Sequence, residues 1–202
     1  MTNYKPARIV IIGPSGSGKG TQAELLEKKF GWKHISSGEL FRREIKQKTP
    51  IGLKVEKLIK KGEFISTKLT FRVLRPVLNQ WIDKGFVLDG FPRLPDQPAL
   101  LDNYLAKKKT KLDVVLYLRV SPKVVIARAK KLWSRGEKFQ KGRSDETLAA
   151  IHRRLKWSEK TLGKIIDYYR QRNLLAEING ERPVAPIHQQ IVGVIERRVF
   201  VV

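Results

Sequence analysis

Nine consecutive residues, Gly13-Pro14-Ser15-Gly16-Ser17-Gly18-Lys19-Gly20-Thr21, hold the types that cradle phosphates. Glycine lets a backbone turn tightly and bring N–H groups against an oxygen with no Cβ between them. Lys19 adds a mobile full charge for the outer phosphates. An apolar, β-rich run, Arg8-Ile9-Val10-Ile11-Ile12, precedes the loop, and a helical stretch, Gln22 to Phe30, follows it. Strand, glycine loop and helix start are the context such a loop needs, because the helix N-terminus adds partial positive charge. The ligand implied is a nucleoside triphosphate. A glycine-rich turn with a chance lysine would not need that strand and helix around it.

The elements that must position this loop can be read from periodicity. Short apolar runs at Arg8–Ile12, His34–Ile35, Phe86–Asp89, Val114–Leu118 and Leu175–Ile178 read as strands. Between them lie helical patterns, such as Leu155, Leu162, Ile165 and Ile166. Strands alternating with helices predict an α/β fold with a parallel sheet covered on both faces. Pro76 interrupts the stretch Leu69–Ile82 and predicts a kink or break there. Gly136 to Gly142 reads as a surface loop, and Thr147 to Asn173 as one long helix or two joined near Gly163. At 202 residues the chain fits one domain with small insertions.

The further motifs follow in order. Ser36-Ser37-Gly38-Glu39-Leu40-Phe41-Arg42 comes after the second strand. Leu88-Asp89-Gly90-Phe91-Pro92-Arg93 ends the third, with Gln97 beyond it, and Gly142-Arg143-Ser144-Asp145-Glu146 follows the surface loop, with Arg154 further on. In this combination and spacing the chain resembles the adenylate kinases, from the first strand to Asn179-Gly180. The resemblance implies a P-loop type, five-stranded parallel sheet with two attachments. These are a helical AMP-binding segment, residues 36–65, and a short lid, residues 134–146, on a core of 1–35, 66–133 and 147–202. It implies Mg²⁺-dependent, reversible transfer of a phosphoryl group from ATP to AMP, giving two ADP.

Phosphoryl transfer asks little covalent help of a protein; it asks for positioning and a field of positive charge. Lys19, Arg42, Arg93, Arg135, Arg143 and Arg154 would supply that field. Arginine suits the task because its planar fork binds two phosphate oxygens at once. By resemblance, Gly16, Ser17, Gly18, Lys19, Gly20 and Thr21 hold the ATP phosphates, with Lys131, Arg135 and Arg182 also on the ATP side. Ser37, Arg42, Glu63, Phe64 and Ile65 form one part of the AMP site. Gly90, Phe91, Pro92 and Arg93 form another, and Gln97 reads the adenine edge with its paired donor and acceptor. Arg135 and Arg143 close over the phosphates from the lid, Arg154 sits between the two phosphate chains, and Arg143 and Arg154 belong to the AMP site. Asp89 holds the water shell of Mg²⁺, with no direct protein ligand to the metal.

Some residues depart from the family pattern. Gly20 follows the loop lysine where phosphate loops usually carry a hydroxyl, and Thr21 comes one place later. Lys131 stands where an arginine often stacks on the ATP base, while Arg128 lies one turn back; either residue fits the role. The lid is too short for the large form, and the absence of cysteine excludes a thiolate zinc site within it. His34, His152 and His188 read as ordinary structural or surface residues.

Composition sets the remaining bounds. Hydrophobic residues make up 41% of the chain, and no run approaches the roughly 18 needed to cross a membrane. With no signal-peptide pattern and no cysteine, the expectation is a cytoplasmic, monomeric protein. The net charge of +23 suits a polyanionic partner, but it does not say which face carries the charge. Nucleic-acid contact is compatible with that charge, yet no zinc finger or RNP-like motif calls for it. A UMP/CMP kinase is the near rival, opposed by Gln97 and Ser37. A nucleotide sensor without turnover is opposed by the arginine set.

Overall fold

The computed structural model describes residues 4–60, 65–139 and 147–200, with Lys60 described by its backbone alone. The expected lid residues 140–146, and with them Arg143, lie outside the described residues, as do Glu63 and Phe64.

Five parallel strands form one sheet: β1 (Arg8–Ile12), β2 (Lys33–Ser36), β3 (Phe86–Asp89), β4 (Val114–Arg119) and β5 (Leu175–Asn179), in the order β2-β3-β1-β4-β5. Successive side chains of a strand face opposite sides of a sheet. Ile9 and Ile11 therefore enter one core with Val87, Val114 and Leu116, and Val10 and Ile12 enter the other with Leu88 and Val115. Burial on both faces is why these strands read as continuous apolar runs.

Helices α1 (Lys19–Phe30) and α8 (Val184–Ile195) cover one face. On the other lie α2 (Ser37–Lys46), α3 (Pro50–Lys60), α4 (Thr67–Trp81), α5 (Gln97–Lys107) and the C-terminal half of α7 (Leu148–Arg170). Helix α6 (Pro122–Trp133) packs with α7 through a small third cluster around Val125, Ala129 and Ile151. A π-helical turn, Glu196–Phe200, ends the described chain.

Two expectations are refined. Helix α4 runs unbroken through Pro76. Proline removes one donor and frees the carbonyl four residues earlier, and here both Pro76 and Arg72 are exposed, so water can satisfy what the helix loses. Helix α7 passes through Gly163 as a single element, because that glycine needs no special backbone angle.

Candidate active site

A parallel sheet opens a crevice at the C-terminal ends of adjacent strands whose onward connections run in opposite directions. Here these are β1, which leads to β2, and β3, which leads to β4. The cleft lies there, enclosing about 490 Å³ open to solvent. Ile12, Gly13, Ser15 and Lys19 line it from the phosphate loop, and Gly90, Pro92 and Arg93 from the end of β3. Arg154, Trp157 and Thr161 face it from α7.

The loop owes its shape to glycines at positive φ, +84° at Gly16 and +95° at Gly18, the latter capping α1. Lys19 is buried and folds back along the loop. Its Nζ donates to the carbonyls of Gly13 at 2.9 Å and Pro14 at 2.8 Å. The ring of Phe139 lies against Gly16, where a Cβ would come within 2.5 Å of its Cζ. Sequence reasoning did not single out Phe139; an aromatic residue in a charged loop was its only signal.

Asp89 ends β3 beside the loop. A Cβ on Gly20 would stand 3.6 Å from its Oδ2, an ordinary van der Waals distance, so the first turn of α1 lies directly beside the carboxylate. Burial opposes ionisation of Asp89, but His34, Lys19 and Arg93 outweigh it and hold the carboxyl below the usual carboxylate range. Its Oδ1 is buried with no hydrogen-bond partner. His34 stands on the neighbouring strand with Nε2 3.8 Å from Asp89 Oδ2. Burial opposes its protonation, yet the contact with Asp89 raises its pKa above the ordinary histidine value. The sequence reading passed over His34 because the adjacency of β2 and β3 was not yet known. Burial lowers the Arg93 pKa, Asp89 counters it, and the nearby charge of Arg42 adds to the lowering.

On the other wall, Gly90 has φ +82°, and Ser37 Oγ donates to its carbonyl at 2.7 Å. A Cβ there would meet that hydroxyl at 2.5 Å and the Arg93 guanidinium at 3.1 Å. Gln97 is buried, with Oε1 accepting the backbone N–H groups of Arg93 at 2.6 Å and Leu94 at 3.1 Å. Its Nε2 points to Thr67 Oγ1 at 3.4 Å. The expectation of a paired donor and acceptor toward a base is therefore modified: the acceptor is engaged by backbone and one amide N–H by Thr67, which leaves the other N–H. Phe91 is fully buried in the core near the Phe71 ring and does not line the cleft. Ile65 packs at the core margin.

Arg42 is half-exposed on α2, 3.9 Å from Glu39. Arg154 Nε donates to the Ala150 carbonyl at 3.0 Å, and its side chain lines the cleft. Arg135 is exposed on the turn after α6, and Thr21 is exposed on α1. Lys131 is exposed, whereas Arg128 donates to the carbonyls of Gly180 at 2.8 Å and Arg182 at 3.4 Å. Arg182 itself is exposed, and Glu181 accepts the Ser121 N–H at 2.9 Å, tying the loop before α8 to the start of α6.

Residues 11–174 match the family model described as adenylate kinase. The chain belongs to the adenylate kinase family. It is 35% identical over 190 residues to an adenylate kinase of Pseudarthrobacter chlorophenolicus, covering 94% of this chain and 96% of that protein. It is 37% identical to one of Bifidobacterium longum, covering 94% and 100%, and 38% identical to one of Azobacteroides pseudotrichonymphae, covering 93% and 96%. Like other adenylate kinases it is a nucleotide-binding kinase with the P-loop type of sheet. Among the described residues, no helix is long and apolar enough to cross a membrane. Nor does any group of three or more His, Cys, Asp or Glu residues gather as a metal cage there.

Proposed function

We propose that this chain transfers the terminal phosphoryl group of ATP to AMP, reversibly, in the cleft above β1 and β3. The observation that carries the reading is the convergence there of Lys19, Arg93 and Arg154 beside Asp89. An α-phosphate oxygen of AMP attacks the γ-phosphorus of ATP. A new P–O bond forms as the bond to ADP breaks, and both products are ADP. The attacking oxygen is already ionised, so no general base is required. The protein's task is to align the groups and offset their charge.

The N–H groups of Gly16 to Thr21 and Lys19 Nζ hold the β- and γ-phosphates of ATP. Lys19 exchanges its two loop carbonyls for phosphate oxygens. Arg93 and Arg42 hold the AMP phosphate, and Arg154 bridges both chains of phosphates. Arg135 and Arg143 close from the lid. Helices α2 and α3 act as the AMP-binding segment, and residues 134–146 act as the lid. Arg128 rather than Lys131 serves the ATP base, a reading supported by its grip on the Gly180–Arg182 loop.

The residues present suit Mg²⁺. Asp89 is ionised, stands at the loop, and has a buried oxygen without a hydrogen-bond partner. Asp89 would hold the ion's water shell. Bound with ATP, Mg²⁺ supplies charge compensation to the phosphate oxygens.

The test is disproportionation. Purified protein given ADP and Mg²⁺ should form ATP and AMP in equal amounts. Lys19→Ala should keep the fold, judged by its thermal transition, and lose on the order of 10² or more in kcat. Folded protein that makes no ATP, or a Lys19→Ala variant within about threefold of the parent, would overturn the reading.

A further inference from the structure

The +23 charge is sited in part by the topology. In a parallel sheet, helices that cross back from one strand to the next end where the strands begin. Helices α1, α4, α5, α7 and α8 end at that edge. Contacts confirm the gathering: Arg8 Nε donates to the Lys111 carbonyl at 3.0 Å and Nη1 to Ile82 at 3.4 Å. Trp32 Nε1 reaches Lys5 at 3.2 Å, and Arg198 reaches Asn173 at 3.3 Å. The edge is one strand length from the nucleotide cleft, about 15 Å at ~3.3 Å per residue.

This edge is crowded with exposed cations. The α5–β4 connection alone carries Lys107, Lys108, Lys109 and Lys111, all exposed. Lys84 stands beside them before β3, over the Trp81 ring at 5.5 Å. Lys28 and Lys29 lie in the last turn of α1, and Arg197 and Arg198 in the π-helical turn after α8. Of the carboxylates there, Asp113 meets Arg8 at 2.7 Å and Glu27 meets Lys33 at 2.7 Å, while Asp83, next to Lys84, is exposed. Among the described residues, no carboxylate pairs with any of the four lysines of the α5–β4 connection. Helix dipoles favour one or two cations in each last turn. They account for Lys28, Lys29 and Lys107, but not for Lys108, Lys109 and Lys111 beyond the helix end.

We propose that the strand-start edge of the sheet, centred on Lys107, Lys108, Lys109 and Lys111, binds the sugar-phosphate backbone of nucleic acid. Five strands at ~4.8 Å make a front about 19 Å wide, enough to face several successive phosphates of one strand. Lysine, a mobile point charge, fits backbone contact without base reading. A lipid surface fits less well. The exposed large apolar residues among those described are Leu53, Ile59, Leu148 and Val184, and none lies at this edge.

The experiment measures anisotropy of a labelled single-stranded RNA 20-mer with the full chain across salt. A variant with Lys107→Gln, Lys108→Gln, Lys109→Gln and Lys111→Gln should keep kinase activity and bind at least tenfold more weakly at about 0.1 M salt. Its slope of log K against log salt should flatten by about 2–3, from ~0.7 per lost phosphate contact. A control with Lys123→Gln, Lys156→Gln, Lys160→Gln and Lys164→Gln removes the same charge from α6 and α7 and should bind within about twofold of the parent. Equal losses in both variants would reduce the effect to net charge and overturn the proposal. So would displacement of RNA by a saturating two-adenosine pentaphosphate, which occupies the nucleotide cleft. Binding to anionic vesicles but not to RNA would overturn it as well. Should the lysine variant misfold, hydrogen exchange of the parent decides: RNA must protect the amides of residues 105–113.

Discussion

At the scale of single residues, Gln97 makes the sharpest statement about substrate. Two backbone N–H groups occupy its Oε1 and Thr67 takes one Nε2 hydrogen, so a base bound beside it would meet only the remaining N–H donor. Adenine N1 and cytosine N3 accept a hydrogen bond at that edge, whereas the ring nitrogens of guanine and uracil carry hydrogens there. AMP, and to a lesser degree CMP, should therefore outperform GMP, UMP and IMP as acceptors. A site built for hydrogen bonding rejects the wrong edge strongly. Gln97→Asn, one methylene shorter, should raise the AMP KM by about 1–3 kcal/mol in binding and narrow that preference. A coupled assay across five monophosphates checks both, and equal rates with AMP and IMP would exclude Gln97 from base contact. The pair His34 and Asp89 predicts a pH signature. A raised histidine pKa stabilises the fold fully below about pH 6.5 and loses that contribution as pH rises through the higher folded value. The lowered carboxyl of Asp89 contributes above about pH 4 and is lost only as pH falls through its depressed folded value. Unfolding free energy of the parent should thus decline from pH 6 toward alkaline pH more than that of His34→Gln. Glycine, lysine and arginine motifs could be read without a structure because their chemistry is local. The partners of Gln97, His34 and Phe139 could not, because each is set by a contact with another element.

At the scale of elements, the five strands read correctly, within a residue or so of their observed ends, because each is an apolar run bounded by turn residues. Helix continuity was harder to read. Pro76 and Gly163 look like interruptions in sequence, but only exposure decides whether a helix tolerates them. One glycine that drew no attention in the sequence matters more. Gly52 lies where α3 crosses α2, and a Cβ there would collide with the Glu44 carbonyl carbon at 2.4 Å. The obstruction is backbone, so it cannot rotate aside. Gly52→Ala should force the two helices apart and cost about 1–3 kcal/mol of stability, the scale of overpacking. AMP affinity should fall and ATP affinity should change little, since the phosphate loop is on another element. Calorimetric titration with each nucleotide separates the two.

At the scale of the whole molecule, the strand order places the cleft, and the sequence alone did not disclose that order. It follows from which strands pair, and pairing partners here are far apart in the chain: β1 lies between β3 and β4. The same arrangement separates the nucleotide cleft from the lysine-rich edge, a division that net charge could not reveal. A two-adenosine pentaphosphate, spanning both nucleotide positions, should bind far more tightly than AMP or ATP alone through effective concentration. Binding no tighter than AMP would mean that the two positions are not joined in one cleft. The placement of Trp157 among the cleft residues has an optical consequence. Trp32 is fully buried on the opposite face of the sheet, and Trp81 and Trp133 are only half-buried outside the cleft lining. Of the four indoles, Trp157 alone is among the residues lining the cleft, so its emission should report occupancy there with no added dye. Titration with the pentaphosphate should shift the intrinsic fluorescence of the parent, and Trp157→Phe should lose most of that shift. A shift of that kind would make Trp157 a built-in gauge of cleft occupancy, readable on the stopped-flow time scale.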